Sequence, residues 1–196
     1  KMEIYLLFIQ HIMASLKPNG KAAIVVPTGF ITAAKGIELK IRQKLVQEKW
    51  IAGVVAMPSN IFATTGTNVS ILFLDRGEHD SVVLIDASSL GEKVKEGKNQ
   101  KTLLSHEEEQ RIVETFNSRE AVENFSVVVD HDAIAAKNYS LNAGQYFEVK
   151  INYEEITPKQ FSQKIKGLQS RLDEMFKESH KLEKSIAKSL GGLSRG

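Results

Sequence analysis

The side chains that could do chemistry in this chain are scattered, and most of them fail on spacing. Gly91 to Lys98 (GEKVKEGK) is close to a glycine-rich phosphate loop. However, five residues separate its glycines where such a loop has four, and Asn99 stands where a metal-binding Ser or Thr is required. The five histidines, His11, His79, His106, His131 and His180, form no i, i+4 pair and share no carboxylate at zinc-ligand spacing, so no metal site is read from them. No cysteine is present to serve as a nucleophile or soft ligand. Glu107-Glu108-Glu109 falls in the first turn of a predicted helix, where carboxylates satisfy free N–H groups and the helix dipole, so its expected role is structural. That leaves two loops, Pro27-Thr28-Gly29-Phe30 and Met57-Pro58-Ser59-Asn60-Ile61-Phe62. Their interest comes from the elements that precede them.

Ile4, Leu7, Phe8, Ile12 and Leu16 recur at helical spacing, and Lys17-Pro18-Asn19-Gly20 stops the helix. Lys21 to Pro27 (KAAIVVP) is a short, nearly continuous apolar run, which predicts a strand buried on both faces of a parallel sheet. Thr28-Gly29-Phe30 reads as a loop. Ile37, Ile41, Leu45 and Val46 make a second helix ending near Trp50, and Ile51 to Met57 (IAGVVAM) is another buried-type strand. This alternation of helix and strand is that of an open α/β sheet, in which ligands lie outside the carboxyl ends of the parallel strands. Both loops therefore point to one rim. Val69 to Leu74 and Val82 to Ile85 are strands with no helix before them, so the sheet is expected to turn antiparallel there. Ser105 with Glu108 forms a capping box for a helix reaching about Arg119, and a short strand is expected at Val127 to Val129. Asp132 to Asn142 and Ala143 to Tyr146 read as irregular or weakly helical.

The tail carries the most regular pattern. A 4-3 spacing picks out Phe161, Ile165, Leu168, Leu172, Met175, Ser179, Leu182 and Ile186, seven of the eight being apolar. That is a seam for packing a helix, either onto the chain's own domain or onto a partner.

Composition bounds the rest. A length of 196 residues suits one compact domain plus an extension, and 42 % apolar with 26 % charged residues excludes a disordered chain. The longest apolar runs, Ile4 to Ile9 and Ala22 to Pro27, are far short of the ~20 residues that span a bilayer, so no membrane association is expected. Together with the lack of cysteine, this points to the cytoplasm. The net charge of +2 is too small to advertise a nucleic-acid surface, but it is unevenly spread. Glu78 to Asp132 holds 13 acidic and 6 basic residues, whereas Lys150 to Gly196 holds 10 basic and 6 acidic. Two regions are expected, 1–147 and a helical tail 148–196. The first residue is Lys1 and the helical pattern starts at once, so a piece of a longer protein is expected.

One resemblance runs through the first region. Gly20-Lys21-Ala22-Ala23-Ile24-Val25-Val26-Pro27, Gly36, Ile41-Arg42, Met57-Pro58-Ser59-Asn60-Ile61-Phe62, Gly66-Thr67 and Ser70-Ile71-Leu72-Phe73-Leu74 occur in that order. They continue with Ile85-Asp86-Ala87-Ser88, Lys98-Asn99-Gln100 and Tyr139-Ser140-Leu141-Asn142. The ordered set resembles the second half of the modification (methylase) subunit of type I restriction-modification systems. The resemblance implies an incomplete class I, Rossmann-like methyltransferase sheet with only its later strands, followed by the helical tail. It also implies a parent that transfers a methyl group from S-adenosylmethionine to adenine N6 in DNA, and that works with a specificity subunit and a restriction subunit. The family's Gly-rich cofactor loop and Asn-Pro-Pro-Phe motif precede the helix that opens this chain, and neither occurs in it. The isolated chain is therefore expected to hold no cofactor, no catalytic residue and no metal. The competing reading is a non-enzymatic module that presents a helix to a partner.

By the same resemblance Phe62 corresponds to an aromatic residue that stacks on an adenine turned out of the duplex. Such stacking is worth about 1 to 3 kcal/mol, against a flipping cost of a few kcal/mol. The bland alternative is a phenylalanine plugging the core beneath its loop. The surrounding rim would comprise Pro27, Thr28, Gly29, Pro58, Asn60 and Gly66, and the tail seam would meet the long helices of the specificity subunit.

Overall fold

The computed structural model describes residues 3–62, 66–77, 79–97, 99–148 and 157–193. Lys1, Lys98 and the middle of the Ile61 to Thr67 loop lie outside the described residues. Two compact units divide the chain, Lys1–Glu148 and Val149–Gly196. In the first, α1 (Ile4–Ser15), β1 (Lys21–Pro27), α2 (Thr28–Thr32), α3 (Gly36–Gln47) and β2 (Ile51–Ala56) come in order. They are followed by β3 (Val69–Asp75), β4 (Ser81–Asp86), a hairpin of β5 (Glu92–Glu96) and β6 (Asn99–Leu103), α4 (His106–Ser118), β7 (Ser126–Asp130) and α5 (His131–Ala136).

Five strands form one mixed sheet in the order β1-β3-β2-β4-β7. β3 runs antiparallel to both β1 and β2, and so separates the two strands that the α2–α3 crossover joins. The expected antiparallel turn holds at β3, and β4 returns to the direction of β2. With that edge of β2 taken, β4 crosses to the other edge and pairs with β2 in parallel. β7 then pairs antiparallel with β4.

The two faces of the sheet carry separate cores, because successive side chains of a strand point to opposite faces. Val54, Leu72 and Leu84 face one core, which also holds Leu6 and Ile9 of α1, Phe30 and Ile31 of α2, Leu45 and Val46 of α3 and Ile134 of α5. Val55, Val83 and Ile85 face the other, with Ile112 and Phe116 of α4 packed against it. Gly53 lies at a register shift in β2, and a Cβ there would stand 2.5 Å from the Phe116 ring and 2.7 Å from the Val83 carbonyl. Only glycine lets α4 settle this close to the sheet.

Two expectations about burial fail at the β1 end. β1 was expected to be covered on both faces. Instead it is the terminal strand, and along it exposed Lys21, Ala23 and Val25 alternate with the covered Ala22, Ile24 and Val26. Val25 is 46 % exposed. An apolar run specifies a strand without specifying what lies over it. In α1 the periodic residues Ile4, Leu7 and Phe8 face outward, while Leu6 and Ile9 are the ones buried. The helix is apolar nearly all round, so spacing alone could not choose its inner face. Two smaller differences concern local form. Thr28 to Thr32 closes as a one-turn helix where a loop was expected, and Asp130 caps α5 through a bond from the Ala133 N–H at 2.6 Å.

Arg42 of α3 has no solvent exposure and is buried against three carbonyl groups. Its Nε donates to the Tyr139 carbonyl at 2.8 Å, and its two Nη groups donate to the carbonyls of Phe30 and Ala33. Burial lowers its pKa to about 10, still far above neutrality, so it remains a cation held by backbone oxygens.

His131, at the start of α5, is 7 % exposed, and neither of its ring nitrogens finds a partner among the described residues. The His79 ring lies 5.6 Å away between centroids. Burial first, then His79 and Lys49, push the His131 pKa down against the opposing pull of Asp130 and Asp132. The folded protein thus keeps this ring neutral to a lower pH than the unfolded chain, which takes up a proton below about pH 6.5. The stability it contributes is complete above that pH and is lost as pH falls toward the depressed native value. Thermal unfolding is expected to show a lower Tm at pH 5.5 than at pH 7.5, with a smaller drop in His131→Leu. An undiminished drop in the variant would assign the pH dependence to other groups.

Candidate functional site

The register of β3 builds one rim. Pro27 pairs with Val69, and Ala56 with Ser70, so β1 and β2 end on either side of the point where β3 begins. The loops are stitched at that line. The Thr28 N–H donates to the Asn68 carbonyl at 2.8 Å, and the Thr28 and Ser70 hydroxyls meet at 3.1 Å. The Met57 N–H donates to the Val69 carbonyl at 3.0 Å. The two loops singled out in the sequence therefore stand side by side.

Within that rim, Pro58 is buried, Asn60 sits in the left-handed region at φ 56°, and Phe62 is 48 % exposed. A Cβ on Gly29 or Gly66 would meet nothing within 4 Å, so both glycines border open space. Phe62 is thus an outward aromatic face and does not plug a core. Among the described residues no group of three or more histidines or carboxylates is placed to hold a metal ion. The rim's polar groups are largely committed to one another: Asp86 Oδ1 accepts the Ser88 N–H at 3.0 Å, and the Ser59 and Asn60 carbonyls are both taken by Thr102.

The β5–β6 hairpin, whose glycine spacing fails as a phosphate loop, completes this rim. Thr102 of β6 donates its hydroxyl to the Ser59 carbonyl at 2.6 Å and its N–H to the Asn60 carbonyl at 2.9 Å. At the hairpin's base one carboxylate holds both strands. Glu108 Oε1 accepts the Gly91 N–H and Oε2 accepts the Ser105 N–H, each at 2.8 Å. These backbone donors hold the Glu108 carboxyl below its usual pKa. The expected capping box is present, with the Glu108 N–H donating to Ser105 Oγ at 3.2 Å. A second clamp joins two other motifs that the sequence kept apart. Arg42 and the Leu141 N–H, which donates to the Ile31 carbonyl at 3.0 Å, tie Tyr139-Ser140-Leu141 to α2 behind the rim.

A mixed sheet with helices on both faces, antiparallel where β3 enters, is the architecture of part of a class I methyltransferase. The N-6 DNA Methylase family model matches residues 1–155. The methylase subunit of the type I restriction enzyme MpnII of Mycoplasma pneumoniae is 35 % identical over 183 residues, covering 92 % of this chain and 32 % of that protein. The MjaIX methylase subunit of Methanocaldococcus jannaschii is 28 % identical over 199 residues, covering 95 % of this chain and 34 % of its own length. The structure of a type I restriction-modification methyltransferase subunit from Streptococcus thermophilus superposes with a TM-score of 0.66 at 28 % identity, over 74 % of this chain and 31 % of that one. The chain belongs to the N-6 DNA Methylase family and spans about a third of the length of these relatives.

The Glu108 clasp can be tested directly. Glu108→Gln keeps the shape but removes the charge that strengthens both backbone bonds. Amide exchange at Gly91 and Ser105 is expected to become several-fold faster, with the amides of β4 unaffected. The same amides in the unsubstituted chain should lose protection as pH falls through the depressed Glu108 value. Unchanged exchange in the variant would show that the hairpin is held by Thr102 alone.

Proposed function

We propose that this chain forms the second half of the catalytic domain of a type I restriction-modification methylase, the parent of which methylates adenine N6 in DNA. The observation that carries this reading is the state of β1 and α1. A strand of buried-type sequence ends the sheet, with no strand among the described residues on its outer edge. Beside it, Ile4, Leu7, Phe8 and Val25 are exposed. Unpaired strand edges and apolar patches are normally covered, and a preceding part of a longer protein would cover the edge by continuing the sheet. S-adenosylmethionine, when bound in the parent, supplies an electrophilic methyl group. Its contacts, like the groups that accept the amino protons, belong to that preceding part. The residues of this chain bind and orient the substrate: Phe62 offers a π-face at the mouth of the rim, and the Thr102 bonds to Ser59 and Asn60 hold the loop that carries it.

The second unit supports a separate role in assembly. Thr157 and Gln160 form a capping box, the Thr157 N–H donating to Gln160 Oε1 at 2.9 Å and the Gln160 N–H to Thr157 Oγ1 at 3.3 Å, with Pro158 at the first helical position. The helix they open, α6 (Pro158–Leu193), is 36 residues and about 54 Å long. Phe161, Ile165, Leu168, Leu172, Met175, Leu182 and Ile186 are each between 39 % and 60 % exposed, so the seam lies open along the helix. We assign it to a helix of the specificity subunit, with the restriction subunit joining the same assembly. No helix among the described residues is long and apolar enough to cross a membrane. A module that only presents α6 to a partner is the alternative, and it leaves the exposed Phe62 and the stitched rim without a purpose.

In the parent enzyme, Phe62→Ala is expected to lower kcat/KM for methylation by about 5- to 150-fold, the equivalent of about 1 to 3 kcal/mol of lost stacking. Cofactor affinity should stay unchanged, and Phe62→Tyr or Trp should retain most of the activity. Wild-type rates in the alanine variant would remove Phe62 from the site. For the tail, Leu168→Glu with Leu172→Glu is expected to abolish co-purification with the specificity subunit while the sheet domain keeps its unfolding transition. Retained co-purification would end the partner-helix reading.

A further inference from the structure

The β5–β6 hairpin has a charge pattern that neither the fold nor the stacking role explains. Of the 6 basic residues between Glu78 and Asp132, four, Lys93, Lys95, Lys98 and Lys101, fall within one nine-residue stretch that holds a single acidic residue, Glu96, of the 13 in the segment. Lys93 and Lys95 lie in β5 and Lys101 in β6. The hairpin register sets Lys93 opposite Thr102 and Lys95 opposite Gln100. Residues directly opposite in an antiparallel pair share a face, as do alternate residues of one strand. Lys93 and Lys95 therefore lie on the face whose Thr102 grips the Ser59–Asn60 loop, two residues from Phe62 in sequence. Both lysines are exposed, and among the described residues neither meets a carboxylate, in contrast to Lys21, Lys44 and Lys49, which pair with Asp75, Glu48 and Asp80.

We infer that this hairpin is a phosphate-gripping arm, placing Lys93 and Lys95 on the sugar-phosphate backbone of duplex DNA next to the base presented to Phe62. The inference rests on the reading of the rim as a DNA site. Charge complementarity selects the occupant. Within the acidic segment the hairpin stretch 92–103 is net positive, its four lysines outnumbering Glu92 and Glu96, and DNA carries one charge per about 1.7 Å of its axis. Alternate residues on a strand are about 7 Å apart, the axial rise of about two nucleotides along one strand, so the two ammonium groups can reach separate phosphates. The arm is fixed at both levels. Glu108 joins its two strands at the base, and Thr102 fastens it to the loop that positions the aromatic ring. A grip of this kind sets the register of the duplex over the rim without reading sequence.

The test is the salt dependence of DNA binding by the parent methylase assembled with its partner subunits, comparing wild type with Lys93→Gln, Lys95→Gln. The expected result is a slope of log K against log[salt] shallower by about one to two, with affinity falling to the same extent on cognate and non-cognate duplexes. The KM for DNA is expected to rise with the loss of affinity, while the affinity for S-adenosylmethionine stays unchanged. A parent that methylates adenine while the double variant keeps the full slope and affinity would overturn the phosphate arm and leave the proposed function intact. A parent that binds DNA through these lysines but methylates no adenine would overturn the proposed function and leave the arm. Absence of DNA binding altogether would overturn both.

Discussion

The position of β3 between β1 and β2 is the constraint on which the rest of the first unit depends. An antiparallel strand inserted between two that run the same way must begin where both of them end. Here that geometry brings the Thr28, Asn68 and Met57 backbones into one stitched line. The insertion also explains the remaining topology. With one edge of β2 occupied by β3, β4 takes the opposite edge, and the hairpin that follows β4 leaves the sheet at the same rim. The local form of the rim is therefore a by-product of strand order, with Gly53 alone relaxed enough to let α4 close over the sheet.

Two single side chains then hold what the sheet does not. Arg42 and Glu108 are opposite in charge and similar in use. Each spends an ionised group on backbone partners from separate segments: carbonyls of α2 and the Tyr139 turn for Arg42, N–H groups from the two ends of the hairpin for Glu108. Charge-assisted bonds to the main chain fix segments that have too little apolar surface to pack on their own. This suits a rim, where loops must hold a shape and yet face solvent.

Much of this was legible in the residues. KAAIVVP, IAGVVAM and VSILFL are strands within a residue of where their apolar runs lie, and Ser105 with Glu108 marks the start of α4. What an apolar run does not encode is what lies over it, which is why β1 reads as covered on both faces and is exposed on one, and why α1 shows Ile4 and Phe8 to solvent. The hairpin escaped reading for a different reason. EKVKE and NQKTL have no apolar alternation, and their pairing is fixed by the turn at Gly97, at φ 64°, and by the Glu108 contact to Gly91 from 17 residues away. The Glu108 contact leaves no local pattern. The same holds for His131, whose isolation depends on residues brought together from three elements. The rim residues were found through their order along the chain, and the exposure of Phe62 is a fact that only the folded loop supplies.

The Arg42 clamp also carries a timing. Its bond to Tyr139 joins residues 97 apart in sequence. During synthesis at roughly 5 to 20 residues per second, α3 is complete for about 5 to 20 s before its last carbonyl partner exists. Over that interval the Arg42 guanidinium has the carbonyls of Phe30 and Ala33 within reach but not that of Tyr139. The turn at Tyr139 therefore acts as the closing latch of the nascent domain, and folding of the first helices is coupled to emergence of nearly the last residues of the unit.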